Sequence, residues 1–294
     1  MGRTGAFAEP FRITQGGKFR LKDFDSATTG GLKSKAEADE WLQKGVALLS
    51  EFQEKLYADD HRALLLIFQG MDGAGKDGVI KHVMSGVNPQ GVQVYSFKEP
   101  SAEELDHDFL WRTVRCFPER GRIGIFNRSY YEETLIVRVH PELLAKQRIP
   151  PALVTKSIWK ERFEDINAVE RYLTRNGVAV LKFFLNISKA EQRKRFLKRL
   201  EDRRKNWKFS ANDIRERQHW NAYMEAYEDM IRHTATPHAP WYVIPSDNKW
   251  FARMTVAAAV VDTLEELNLS YPKVTGAARK DLAEQRALLA GKSK

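Results

Sequence analysis

Ala63-Leu64-Leu65-Leu66-Ile67-Phe68-Gln69-Gly70-Met71-Asp72-Gly73-Ala74-Gly75-Lys76-Asp77-Gly78 is the stretch that decides the fold of this chain. The apolar run Ala63–Phe68 has the length and composition of a buried strand, and the residues after Lys76 can continue as helix. A strand, a glycine-rich turn and a helix N-terminus in that order make a phosphate-binding P-loop. The glycines and the small Ala74 let successive backbone N–H groups converge on an anion without side-chain obstruction. Lys76 adds a positive charge on a long stem, able to follow a phosphoryl group. The spacing departs from the usual motif at one place, because Asp77 stands where Ser or Thr would offer magnesium a hydroxyl. The local metal-ligand candidates are therefore carboxylates, Asp72 and Asp77. A ligand-free strand–helix turn is the bland alternative.

Around this stretch the chain reads as α/β. Trp41, Leu42, Leu48, Leu49, Phe52 and Leu56 predict an amphipathic helix over Lys35–Tyr57, after an extended or looped arm at 1–34. Helix resumes near Lys76 and should stop before Gly86 or the Asn88-Pro89 breaker. Gly91–Phe97 alternates as a strand, and Ser101 with Glu104 forms a capping box for a helix running toward Phe117. Arg112 and Arg115 on that segment suit either a phosphate or ordinary surface pairs. Ile123, Ile125 and Phe126 predict a second buried strand whose polar exit, Asn127-Arg128-Ser129, lies beside the P-loop at the ligand-binding edge of an open sheet. Val178–Leu185 and Trp241–Pro245 supply further core strands, with helices at about 150–173 and 249–267.

At 294 residues and 43% apolar composition the chain can hold one large α/β domain. Cys116 is the only cysteine, which excludes an intramolecular disulfide. No segment is long and charge-free enough to span a membrane, and no apolar signal segment is evident, so a cytoplasmic address is expected. The formal charge is +9, and it is uneven. Arg193–Arg217 holds eleven Lys or Arg against four Asp or Glu, a local excess of seven positive charges. Such a field suits DNA, RNA, acidic lipid or inorganic polyphosphate, and charge alone does not choose among them. Ser188 caps a basic helix over Gln192–Lys205. The Asn206–Ser210 junction breaks it before a helix at about Asp213–Ile231. Two helices joined at such a turn can cover phosphates and dry the site.

The sequence closely resembles the family-2 polyphosphate kinases. The words that carry the likeness are Gly-Met-Asp-Gly-Ala-Gly-Lys-Asp-Gly from Gly70, Ser-Gly-Val-Asn-Pro from Ser85, Phe-Asn-Arg-Ser-Tyr-Tyr-Glu-Glu from Phe126, Asn-Trp-Lys-Phe-Ser from Asn206 and Ala-Pro-Trp-Tyr-Val-Ile-Pro from Ala239. Their order spans the chain from the N-terminal arm to about Tyr271. The resemblance implies a P-loop kinase-like three-layer α/β fold with a predominantly parallel central sheet. Its expected organisation is an arm and helix at 1–62, a catalytic domain at 63–271 with a helical lid at 188–233, and a peripheral or mobile tail at 272–294.

The implied activity is reversible, magnesium-dependent phosphoryl transfer between inorganic polyphosphate and AMP or ADP, forming ADP or ATP, with Mn2+ able to replace Mg2+. Carried onto this chain, the resemblance makes Asp72, Lys76, Arg128 and Arg195 the catalytic candidates. Gly73, Ala74, Gly75, Lys76, Asp77, Gly78, Lys81, Arg138 and Arg199 become the phosphate and polyphosphate contacts. Many family members have Asp where this chain has Asn127; together with Glu132 this resembles the subgroup that accepts nucleoside monophosphates as well as diphosphates. A homo-oligomer is implied, whereas a membrane or nucleic-acid partner is not. The rival readings are an ATP-dependent nucleoside or small-metabolite kinase and a non-enzymatic nucleic-acid-binding module.

Overall fold

The computed structural model describes residues 7–204 and 206–291. Five parallel strands form the sheet: β2 (Ala63–Gln69), β3 (Val92–Ser96), β4 (Ile123–Asn127), β5 (Val178–Asn186) and β6 (Trp241–Pro245). A two-residue strand, β1 (Arg12–Ile13), adds to one edge in antiparallel fashion, giving the order β1-β6-β5-β2-β4-β3. The central β2 is buried at every residue because β4 and β5 pair with it on either side and helices cover both faces. That accounts for its continuous apolar sequence, which an exposed sheet face would interrupt. The edge strand β3 is only half-buried.

Helices fill the two outer layers. On one face lie α1 (Lys35–Asp59), α2 (Lys76–Val83) and the late helix Lys249–Glu266, which packs along α1 and α2. Ser34 caps α1 by accepting the Glu37 N–H, and Asp60 ends it in the left-handed conformation (φ +51°). The other face carries a series of short helical segments, and four longer helices follow them in the chain. The short ones are α3 (Ala102–Leu105), α4 (Trp111–Val114), the 3-10 turn Tyr130–Thr134, α5 (Ile136–Val139) and α6 (Glu142–Ala145). After them come α7 (Ile158–Arg175), α8 (Lys189–Glu201), α9 (Ala211–Gln218) and α10 (Trp220–Thr234). The late helix is α11, and α12 (Gly276–Leu289) follows it with no buried residue. No helix among the described residues is long and apolar enough to cross a membrane.

Four local expectations change. The helix expected to run from Ser101 toward Phe117 is two single turns, although its capping box forms. Asp108 accepts the Leu110 N–H on its side chain (2.9 Å), and this local turn competes with helix propagation. The basic helix starts directly after its Ser188 cap and stops at Glu201, where Asp202 takes the Arg204 N–H (3.1 Å); Lys205 lies outside the described residues. The helix at 213–231 is α9 and α10, broken at His219, whose N–H bonds the Glu216 carbonyl three residues back. The N-terminal arm contributes a strand and buries Phe11, Phe19 and Leu32.

Candidate active site

Strand order reverses at β2, so the loop leaving it sits in the crevice between β4 and β5, where open α/β sheets bind ligands. The loop 70–75 curls back on itself there. Gly73 (φ +84°) and Gly75 (φ +110°) occupy backbone conformations that L side chains rarely adopt, and a Cβ on Gly73 would stand 3.0 Å from the Phe196 ring. Lys76 begins α2 and folds back over the loop, its Nζ donating to the Gly70 carbonyl at 2.5 Å. Burial lowers the Lys76 pKa, and the neighbouring Arg128 lowers it further. Asp72, Glu132 and Asp77 pull the other way without outweighing them, so a phosphate beside this ammonium would favour its charged form.

Arg128 leaves β4 with φ +65°, an uncommon conformation for a non-glycine residue and one that stores about 1–3 kcal/mol. Two contacts hold it. Its N–H continues the ladder to the Phe68 carbonyl (3.0 Å), and its Nη2 donates to Asp72 Oδ1 (2.6 Å). Glu132 and Asp72 keep its guanidinium firmly charged against the cost of burial. Burial alone would raise the Asp72 carboxyl, but Lys76 and Arg128 outweigh it and hold Asp72 below its ordinary value. Next to Arg128, Asn127 donates to Asp77 Oδ1 at 2.7 Å. The loop after β2 and the exit of β4 are thus stitched together by two side-chain bonds.

The structure treats the other expected residues differently. Arg195 reaches the loop from behind, and every donor of its guanidinium is taken by protein. Nε bonds Glu191 (2.9 Å), Nη1 bonds the Gly73 (3.0 Å) and Ala74 (2.8 Å) carbonyls, and Nη2 bonds those of Ser246 and Asp247. In this geometry it is a strut between the P-loop and the end of β6, with no N–H left for a transferring phosphoryl. Arg199 faces Asp213 (3.1 Å) and lies over the Phe196 ring. Arg138 pairs with Asp229 (2.6 Å) in the wall of a cavity of about 620 Å³ that also includes Lys22, Trp220 and Arg232 but no P-loop residue. Lys81 is exposed on the last turn of α2. Arg112 is buried against the Lys98 carbonyl (2.8 Å) and Arg115 lies over Trp111, so both serve local structure.

Several participants escape a reading of motifs. Gln192 Nε2 donates to the Asp72 carbonyl (2.8 Å), so α8 grips the loop through two side chains one turn apart. Tyr227 on α10 is buried near Glu132, Arg128 and Asp72; burial and the charge of Glu132 push its hydroxyl well above its ordinary value. Beneath the Arg128 turn, Glu170 accepts from Tyr130 (3.0 Å), Tyr131 (2.8 Å) and Lys182 (2.5 Å), all fully buried. Lys182 also donates to the Thr234 carbonyl (2.7 Å), and burial lowers its pKa against the pull of Glu170. The available signal was Lys182 itself, a lone cation inside the apolar run Val178–Leu185.

The family model described as Polyphosphate kinase 2 matches residues 32–272. The chain belongs to the polyphosphate kinase 2 family. Among the relatives of this kinase, the ADP-polyphosphate phosphotransferase of Rhodopseudomonas palustris is 51% identical, over 95% of this chain and 97% of that protein. The AMP/ADP-polyphosphate phosphotransferase of Meiothermus ruber is 42% identical, over 93% and 99%. The crystal structure of polyphosphate kinase 2 from Arthrobacter aurescens superimposes with a TM-score of 0.86 at 40% identity, covering 95% of this chain and 96% of that one. The three-layer α/β architecture is therefore that of solved polyphosphate kinase 2 structures.

Proposed function

We propose that this family member transfers phosphoryl groups reversibly between inorganic polyphosphate and AMP or ADP, forming ADP or ATP. The observation that carries the reading is the Lys76–Asp72–Arg128 cluster, which gathers two fixed cations and a carboxylate at the mouth of a P-loop. Relatives named for ADP and for AMP/ADP support the acceptor class.

The chemistry then falls mostly to positioning and charge compensation. A terminal oxygen of the acceptor phosphate attacks the end phosphorus of polyphosphate; the new P–O bond forms as the bridging P–O bond breaks, and the donor leaves one unit shorter. The acceptor is already anionic at neutral pH, so no strong base is required. Lys76 and Arg128 offset charge on the donor end and on the group in flight, while the Gly73–Gly78 backbone amides orient it. Asp72 holds Arg128 in place. Helices α8 to α10 act as the lid, with Arg199 contributing a cation once phosphate competes with Asp213 for it.

Magnesium fits the residues present. Asp72 and Asp77 flank Lys76, and among the described residues each has only one carboxylate oxygen engaged by a protein donor. Among the described residues no cluster of three or more His, Cys, Asp or Glu could cage a metal, but Mg2+ characteristically takes one or two carboxylates together with phosphates and water. Bound there, it would neutralise phosphate charge. Asp72 and Asp77 would hold it.

The test is direct. Purified protein with Mg2+ and either nucleotide should form product only when polyphosphate is present, and Lys76→Ala should abolish turnover while leaving the fold intact. Turnover with ATP and a small metabolite but none with polyphosphate would favour the ordinary-kinase reading. Salt-sensitive nucleic-acid binding that survives K76A, with no turnover, would favour the binding module.

A further inference from the structure

The final residue of β2 is not apolar. Gln69 ends a strand whose preceding six residues are all apolar, and it is completely buried. Its register opposite Phe184 puts it on the sheet face that also carries Lys182, two residues earlier on β5. That face is covered by the turn Tyr130–Thr134. There Gln69 Nε2 donates to Glu132 Oε1 at 3.0 Å, while its own Oε1 is buried without a partner among the described residues. An unpaired buried acceptor is costly, and a leucine or methionine would remove the cost. What the glutamine supplies in return is a fixed, neutral donor to one oxygen of Glu132.

The effect on Glu132 is to divide its attention. The charges of Glu132 and Asp72 both act on the Arg128 guanidinium and keep it protonated, Asp72 also by direct hydrogen bond. Without the amide, the carboxylate is free to swing toward that guanidinium and to compete there with Asp72 and with phosphate. With the amide, one oxygen is tethered at the end of β2 and the other can face the acceptor side of the site.

We propose that Gln69 is a specificity-determining positioning residue: it holds Glu132 in the orientation that lets the enzyme use AMP as well as ADP. The inference rests on the acceptor reading above. AMP carries one phosphate fewer than ADP, so its attacking oxygen depends more on contacts outside the phosphate cradle. Loosening Glu132 therefore costs AMP more than ADP. Losing one hydrogen bond to a charged group should lower the ratio of kcat/KM for AMP to that for ADP by about five- to tenfold.

The experiment compares wild type, Gln69→Leu, Glu132→Gln and the double variant with AMP and with ADP at saturating polyphosphate and Mg2+, alongside thermal unfolding. Gln69→Met, closer in length and shape, is measured in parallel so that a folding defect in one variant does not decide the matter. The expected pattern is a reduced AMP/ADP ratio in Q69L, Q69M and E132Q, and a double variant no worse than E132Q alone, because Gln69 acts through Glu132. If E132Q shifts the ratio and both Gln69 variants leave it unchanged, the inference fails and the acceptor reading survives. Multiplying effects in the double variant would also overturn it. If E132Q leaves the ratio unmoved, the selectivity role of Glu132 falls, and the role of Gln69 falls with it.

Discussion

Replacing Arg195 separates two roles that look alike in a sequence. As a transfer-site cation, its loss would weaken polyphosphate contact and the chemical step while leaving the fold alone. As the strut seen here, it makes five hydrogen bonds from a side chain that is only 6% exposed, to Glu191 and to the carbonyls of Gly73, Ala74, Ser246 and Asp247. At about 1 kcal/mol net per bond, with water refilling part of the space left by Arg195→Ala, the loss comes to about 3–5 kcal/mol. For a chain of this size that corresponds to a fall of about 6–10 °C in Tm. Arg195→Lys keeps the charge but offers three donors without the planar fork, so it should fall between the two. The assay is thermal unfolding, followed by turnover measured well below each Tm and polyphosphate KM measured across a salt series. The strut predicts lowered Tm and lowered kcat with an unchanged salt slope. A wild-type Tm together with a shallower salt slope would show that Arg195 neutralises phosphate, and the argument from its occupied donors would be wrong.

Two further outcomes follow from the buried charges. Lys182→Met strands Glu170 in the core and should cost roughly 3–5 kcal/mol in urea unfolding, whereas adding Glu170→Gln should recover much of the loss; a double variant less stable than the single would refute the pairing. Lys76 has a lowered pKa in the free protein, and a bound phosphate should raise it again. Between those two values binding takes up a proton, so affinity for a short polyphosphate should weaken as pH rises through the alkaline range below 10.5. Calorimetry in buffers of different ionisation enthalpy reads the uptake directly, and no buffer dependence there would count against it.

The parts of the fold legible in the sequence are those where one physical demand dominates several consecutive residues. Ala63–Phe68 reads as a central strand because burial on both faces leaves no room for alternation, and the turn after it reads as a phosphate cradle because its glycines serve backbone geometry. Legibility fails where two local demands compete. Ser101 and Glu104 do form their capping box, but the side chain of Asp108 captures the Leu110 N–H and the helix is cut into single turns. The strand Arg12–Ile13 is invisible for a different reason, since two residues carry no periodicity and their pairing is decided by β6 more than two hundred positions away.

The candidate site shows the same limit in its charges. Residue types identify the cations of Arg193–Arg217, but their effect on a polyanion depends on how many N–H groups remain uncommitted. Arg195 has spent all of its donors on carbonyls and Glu191, Arg217 gives two bonds to the Lys189 carbonyl and Gln192, and Arg199 and Arg204 stand against Asp213 and Asp202. The N–H groups that phosphate meets are therefore fewer than eleven cations suggest, although hydrogen bonds to neutral carbonyls leave the net charge unchanged. Asp213 is the partner best placed to yield: burial raises its carboxyl, the nearby Asp72 raises it further, and Arg199 only partly opposes them. A phosphate entering between Asp72 and Arg199 would replace a carboxylate that its surroundings already disfavour. Exchange of polyphosphate for Asp213 would release Arg199 toward the donor, in keeping with the lid role proposed for α8 to α10.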